Sequence, residues 1–320
     1  MNKVAIGIDI GGTNTAIGLT NREGKVLIKQ SIPTPKHGII ELYLDDIVKT
    51  MKALINKFTS SEVVGIGIGA PNGNYYDGSI DYAPNLSFKG KVPIVTLLKE
   101  KFQNIKKVHL TNDANAAALG EKIYGGAKDF NDFVMFTLGT GIGSGIVVNG
   151  NLLYGHSGFA GECGHMLIEP NGRLCGCGVR GHLEAYCSAN GIKRTAFELL
   201  AQNNNTDSIL SNYSLADLNS KIIYNAAKSG DLLAIEVFKL TGYWLGIGLA
   251  NTIHHLDSQA IFLFGGPLAA GDFIIKPTVE SMEKHLLPIY RNKVKIIPSQ
   301  LNGGDAAILG ASSLVWIENN

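Results

Sequence analysis

Residues 4–19, VAIGIDIGGTNTAIGL, and residues 133–148, FVMFTLGTGIGSGIVV, carry the pattern that decides the fold. In each, an apolar run of strand-forming residues enters a short glycine turn and a second apolar run leaves it. Residues 4–10 enter Gly11-Gly12-Thr13 and residues 15–19 leave it; Phe133–Leu138 enters Gly139-Thr140-Gly141 and residues 143–148 leave it. One motif used twice predicts two related halves. Outward from the first copy, residues 26–31 read as a third strand of an antiparallel meander. Residues 39–58 then carry Ile40, Leu44, Ile47, Met51, Leu54, Ile55 and Phe58 at helical spacing, before a strand at 63–69. A helix near 94–102, a strand at 108–110 and a helix at 114–124 follow. After the second copy come a Gly/Cys/His-rich loop at 155–181, helices at 216–229 and 232–253, strands at 260–264 and 294–297, and a closing helix at 306–317. Helices alternating with strands place the chain in the α/β class.

No Pro- or Ser-rich linker separates the halves, so direct crossings are expected near Thr111 and Asn302. Residues 1–112 with about 303–320 would form a small α/β domain and 113–302 a large one, with a cleft between them. The length of 320 residues fits roughly two domains. A hydrophobic share of 45%, a charged share of 17% and a mean hydropathy of +0.11 exclude the disordered and coiled-coil classes. Lys+Arg 28 against Asp+Glu 27 leaves +1, which offers no footprint for nucleic acid or an anionic membrane. The N-terminus lacks the length of a signal segment, and no stretch approaches the ~18 uninterrupted apolar residues of a membrane helix. A soluble, cytoplasmic protein is expected.

Three glycine turns each follow an apolar strand: Asp9-Ile10-Gly11-Gly12-Thr13-Asn14, Leu138-Gly139-Thr140-Gly141, and Phe264-Gly265-Gly266-Pro267. Each could be a tight hairpin and nothing more. Together, with the carboxylate of Asp9 and no Walker lysine, they read as phosphate cradles, since glycine lets backbone N–H groups approach phosphate oxygens. The second turn leads into a strand rather than a helix, which argues against a nicotinamide cofactor. Asn112 and Asp113 stand between a strand and an Ala-rich helix. Either is a good helix cap. At a strand's C-terminal end, Asp113 could equally accept a proton from a substrate hydroxyl while Asn112 orients it.

All four cysteines, Cys163, Cys175, Cys177 and Cys187, fall in one short region. His165, Cys175, Cys177 and His182 match a tetrahedral Cys₂His₂ zinc set with no position left for a catalytic water; the alternative is two reduced thiols beside unrelated histidines. Glu162 and Glu184 flank this cluster, either as solvated loop acids or as acceptors for polyol hydroxyls.

The stretches IGIDIGGTN, TNDANAAALGE, FTLGTGIGSGIVVNGNLLYGHSGFAGECGH, CGCGVRGHLEAYCS, FLFGGP and GGDAAILGAS run nearly end to end. As a set they resemble the ROK family (repressors, open reading frames and kinases), and within it the glucokinase branch. The resemblance implies an actin-like, ribonuclease H-like ATPase fold of two domains, with ATP between them and a hexose in the cleft. It also implies that Asp113 is the base at the sugar 6-hydroxyl, and that Asn85, Asn112, Glu162, His165 and Glu184 hold sugar hydroxyls. His165 would serve zinc and sugar alike. Asp9, Gly11, Gly12, Thr13, Asn14, Gly139, Thr140, Gly141, Gly265 and Gly266 would surround ATP, Asp9 orienting the waters of Mg²⁺. A homodimer is the family habit. His182 stands where the family's last zinc cysteine is usual, Asn72 where glycine is frequent, and Phe88 where tryptophan is often seen. N-acetylmannosamine, N-acetylglucosamine, allose and fructose are alternative sugars. Outside kinases, a sugar-responsive repressor would need a DNA-reading segment before the first turn, where Val4 already begins a strand; a chaperone-like ATPase would not need the His/Cys cluster.

Overall fold

Runs of Ile, Val and Leu broken by glycine form the strands of a first sheet, in a computed structural model that describes residues 2–36, 38–59, 61–105, 107–203 and 207–317. Strands β1 (Asn2–Ile10), β2 (Asn14–Asn21) and β3 (Val26–Pro33) make the expected meander. They are followed by α1 (Ile40–Ile55), β4 (Ser61–Ala70), the two-residue strands β5 (Ile80–Asp81) and β6 (Lys91–Val92), α2 (Ile94–Lys101), β7 (Val108–Asn112) and α3 (Asp113–Ile123). The second run comprises β8 (Phe133–Leu138), β9 (Ile142–Val148), β10 (Asn151–Leu152), α4 (Glu184–Cys187), α5 (Ala189–Asn203), α6 (Ser220–Lys228), α7 (Leu232–Leu256), β11 (Ala260–Phe264), α8 (Asp272–His285), β12 (Lys295–Pro298) and α9 (Ala306–Trp316).

The two large sheets run β3-β2-β1-β4-β7 and β10-β9-β8-β11-β12. In both, the first three strands of the copy lie in reverse order and two later strands follow on the far side, so the repeat seen in the two glycine turns extends to whole sheets. In the first sheet β1, β4 and β7 are parallel. Its register sets Asp9 beside Gly69 and Gly69 beside Thr111. The ends of β1 and β7, and with them Asp9 and the Asn112-Asp113 pair, therefore share one edge, where α/β sheets bind ligands.

Part of the glycine excess serves packing. A Cβ on Gly7 or Gly67 would overlap the backbone carbonyl of Ile308 or Ala311. Helix α9 thus lies flush on β1 and β4, which only glycine permits at those two points.

The chain divides into two compact units: one of Met1–Asn131, Gly145–Gly161 and the segment from Ser299 on, the other of Asp132–Ser144 and Glu162–Pro298. The crossing expected near Thr111 falls instead after Asn131, because α3 packs against α9 and stays with the first sheet. The chain first returns over 145–161, and its last return falls at Ser299 rather than near Asn302; there the buried carboxylate of Glu121 on α3 accepts from Ser299 Oγ at 2.6 Å and Gln300 N at 3.0 Å. The last residues of the expected small domain, 318–320, lie outside the described residues. By length and composition α7 could cross a membrane; here Val237, Phe238, Leu245, Leu249 and Ile253 are buried, and the helix packs against α5 and α8 within the second unit.

Candidate active site

In the first unit the β1–β2 turn closes through Gly11 N donating to Asn14 O at 3.0 Å, and Thr34 N holds Thr13 O from behind at 2.9 Å. Gly12, Thr13 and Asn14 are exposed. A Cβ on Gly12 would stand 2.9 Å from Asn85 O, so this turn and the loop carrying Asn85 touch. Gly69 lies between two carboxylates: its Cβ would be 3.7 Å from the Asp113 Cα and 3.9 Å from Asp9 Oδ1. Burial, and then the like charge of Asp113, push the Asp9 carboxyl from 3.8 up to about 6.

Asn112 is the N-cap of α3, its side chain accepting from Ala114 N at 2.8 Å. Capping, the plainer of the two readings, is therefore one of its roles. Asp113 Oδ1 accepts from the same N–H at 2.8 Å. Water reaches Asp113, yet the protein packed around it raises its carboxyl above the ordinary range. A carboxylate so shifted is a better proton acceptor than a fully solvated one.

Asn72 adopts a φ of 51°, the left-handed region that glycine and asparagine enter most readily. Its Nδ2 donates to Asp81 O at 2.9 Å. Its replacement of glycine is thus conformationally matched. Phe88 is buried at 9% exposure, its ring stacked on Tyr43.

In the second unit, Gly139 N donates to Gly141 O at 2.9 Å and Ala189 N, at the start of α5, donates to Gly139 O at 2.8 Å. Nothing lies within 4 Å of a Cβ on Gly139 or Gly266. Both turns present open backbone. Gly265, at φ 128°, abuts the Leu138 carbonyl with no room for a side chain.

The donor atoms of His165, Cys175, Cys177 and His182 all lie within 4.8 Å of one another. His165 Nδ1 is 3.3 Å from His182 Nδ1 and 3.9 Å from Cys175 Sγ; Cys177 Sγ is 3.2 Å from His182 Nδ1. Bonds of about 2.0–2.3 Å to a central tetrahedral ion separate ligand atoms by about 3.3–3.8 Å; the pairs made by His182 stand close to that spacing, and the set as a whole is wider. The other ring nitrogen of His165, Nε2, lies 3.9 Å from Glu162 Oε2. Glu184 bridges the His/Cys cluster and the second glycine turn: Oε2 accepts from Ile142 N at 2.9 Å and Oε1 from the Cys175 thiol at 3.5 Å. Glu184 is therefore not a bare solvated acid, whereas Glu162 is exposed.

Sequence reading placed no role on Glu121, a fully buried carboxylate that also accepts from Gly126 N at 2.7 Å. A lone acid inside the apolar run AAALGE was its signal.

The sequence profile of the ROK family matches residues 5–317. A glucokinase of Thermotoga maritima is 33% identical over 312 residues, 97% of this chain and 96% of that one. A xylose repressor of Bacillus spizizenii is 32% identical over 317 residues, 97% of this chain and 76% of that one. The crystal structure of a ROK family glucokinase from Streptomyces griseus in complex with glucose and AMPPNP matches with a TM-score of 0.81 and 31% identity, covering 97% and 98% of the two chains.

Proposed function

The chain belongs to the ROK family, and on that premise we propose that it is an ATP-dependent hexose kinase that phosphorylates the 6-hydroxyl of glucose. The observation that carries this reading is Asp113, a carboxylate with a raised pKa at the edge where β1 and β7 end, in a chain similar to glucokinases over almost its whole length. Phosphoryl transfer is mostly positioning and charge neutralisation. The glycine turns at 11–14, 139–141 and 265–266 hold phosphate oxygens through backbone N–H groups. Asn85, Asn112, Glu162, His165 and Glu184 hold sugar hydroxyls, and Asp113 takes the proton of the attacking hydroxyl at its carboxylate. When bound, Mg²⁺ would supply positive charge to the phosphates, and Asp9 is the carboxylate that would orient its water ligands.

We read the His/Cys cluster as a structural zinc site. His165 offers one ring nitrogen to the metal and the other to the side where Glu162 stands, which supports its double role. A metal-bound Cys175 would be a thiolate with no proton to donate. Glu184 Oε1 would then be released for a sugar hydroxyl. The same reading includes a cytoplasmic homodimer.

The test is ADP release by the purified protein with Mg-ATP across a panel of hexoses and N-acetylhexosamines. Glucose-dependent release is expected. Turnover confined to an acetamido sugar would keep the chemistry and replace the substrate; sugar binding without turnover would favour the regulator reading that similarity to the xylose repressor raises.

Asp9 gives a second test. Its folded-state pKa lies above the ordinary 3.8, so ionising it at neutral pH works against folding, and that cost falls away as pH drops through about 6. Asp9→Asn is expected to melt higher at pH 7, by about 2–3 kcal/mol of stability, while losing turnover. Differential scanning calorimetry at pH 7 and pH 5 reads it: the gain should shrink at pH 5, and a variant less stable at both would contradict the assignment.

A further inference from the structure

Behind the first glycine turn three hydroxyls are buried together: Thr15 is 0%, Thr34 4% and Tyr43 2% exposed. Thr15 Oγ1 lies 2.8 Å from Thr34 Oγ1 and hydrogen-bonds the Tyr43 hydroxyl. The cluster is bonded to the turn itself, since Thr34 N donates to Thr13 O at 2.9 Å. Asp9 is near enough for its charge to add to the effect of burial in raising the Tyr43 pKa.

The ring of Tyr43 faces a different loop. It stacks on Phe88 with centroids 6.0 Å apart and planes 28° apart. Phe88 follows Asn85 in the stretch Asn85-Leu86-Ser87-Phe88, and Ser87 Oγ donates to Pro35 O at 2.6 Å, one residue beyond Thr34. At the front, Gly12 already touches Asn85. The turn and the loop are therefore in contact on one side and joined on the other through Tyr43 against Phe88 and through Ser87 on Pro35.

We propose that Tyr43 is a positioning residue which, with Thr15 and Thr34, locks the phosphate turn and the sugar loop into one rigid piece, so that the two substrates are placed by the same brace. The inference rests on the reading of Gly11–Asn14 as a phosphate turn and of Asn85 as a sugar ligand. A core tyrosine that only fills space would hold the fold and nothing else. A brace has a kinetic signature, because displacing a reacting group by about 1 Å can cost on the order of 10²-fold in rate. Its hydroxyl end acts on the nucleotide side and its ring on the sugar side, so the two can be removed separately.

The experiment is steady-state kinetics in ATP and glucose, with melting temperatures, for wild type, Tyr43→Phe, Thr15→Val, Phe88→Leu and the double variant Tyr43→Phe/Phe88→Leu. Tyr43→Phe and Thr15→Val are expected to raise KM for ATP and lower kcat by about tenfold together, with KM for glucose within about twofold. Phe88→Leu should raise KM for glucose instead. The double variant should fall short of the product of the singles, as residues of one connected unit do. Tyr43→Phe and Thr15→Val variants that melt lower but keep kcat and both KM values within about twofold, assayed well below their melting temperatures, would overturn the brace. A wild type without sugar-dependent ADP release would overturn the functional reading, and the brace with it.

Discussion

Asp113→Asn is expected to bind glucose and ATP with near-normal affinity and to turn over about 10²–10⁴-fold more slowly than wild type. The substitution keeps size and shape, and the new amide oxygen can still accept from Ala114 N, the 2.8 Å bond that Asp113 Oδ1 makes at the start of α3. Helix and sheet edge should persist, so the loss isolates the proton acceptor. An interaction made only in the transition state lowers kcat and kcat/KM equally. That pattern, with glucose KM held within about twofold, is what the base role requires. A second signature lies in pH. With Asp9 and Asp113 both raised, chiefly by burial, wild-type kcat/KM should decline on its acidic side above the ordinary carboxylate value of 3.8. Removing the Asp113 charge withdraws one of the two causes that lift Asp9, so the residual acidic limb of the variant should move to lower pH. Turnover near the wild-type rate, or an unmoved acidic limb, would remove Asp113 from the chemistry.

The elements that sequence reading found first are short apolar runs buried on both faces whose ends carry glycine. β11 ends where the apolar run meets Gly265, as expected from the sequence, and the meander of β1 to β3 differs only by residues at its ends. Helix α6 starts later than residue 216 because the Asn219 side chain accepts from Ile222 N at 3.0 Å and fixes the cap there. Helix α8 drew no expectation: it is rich in charge and contains Pro277, which reads as a breaker, whereas its small residues meet Gly242 and Gly246 of α7 at close range. The crossing points were misplaced for a related reason. Whether α3 joins the first or second unit depends on its packing against α9, nearly two hundred residues on, and local pattern carries no record of that.

Within the site, residues standing in contiguous motifs were legible and those assembled from distant strands were not. The His/Cys set spans one loop, so its spacing could be counted. Thr15, Thr34 and Tyr43 look like an ordinary strand threonine, a loop threonine and a helix aromatic. Only folding brings their hydroxyls together. The Asn112-Asp113 pair was legible as a pair, but its division of labour was not: the cap went to Asn112, and both side chains share the Ala114 N–H.

His182→Ala is expected to lose a metal that wild type and His182→Cys both retain. The family resemblance puts cysteine at this position, and histidine is an equally competent ligand if its Nδ1 reaches the other donors. Here it stands 3.2 Å from Cys177 Sγ and 3.3 Å from His165 Nδ1. Removing it leaves three donors, one of them the exposed Cys177, and an open coordination position that a structural site does not tolerate well. Native mass spectrometry should find about one zinc per chain in wild type and in His182→Cys, and little in His182→Ala. Loss should cost a few kcal/mol of stability, on the scale of losing a staple in a loop-rich segment. It should also raise KM for glucose more than it lowers kcat, because on the zinc reading the metal would hold His165 by one ring nitrogen, and Glu184 lies against Cys175, while Asp113 belongs to the other compact unit. Metal-free wild-type protein that melts and binds glucose as well as the zinc-loaded form would return the four residues to reduced thiols and unrelated histidines.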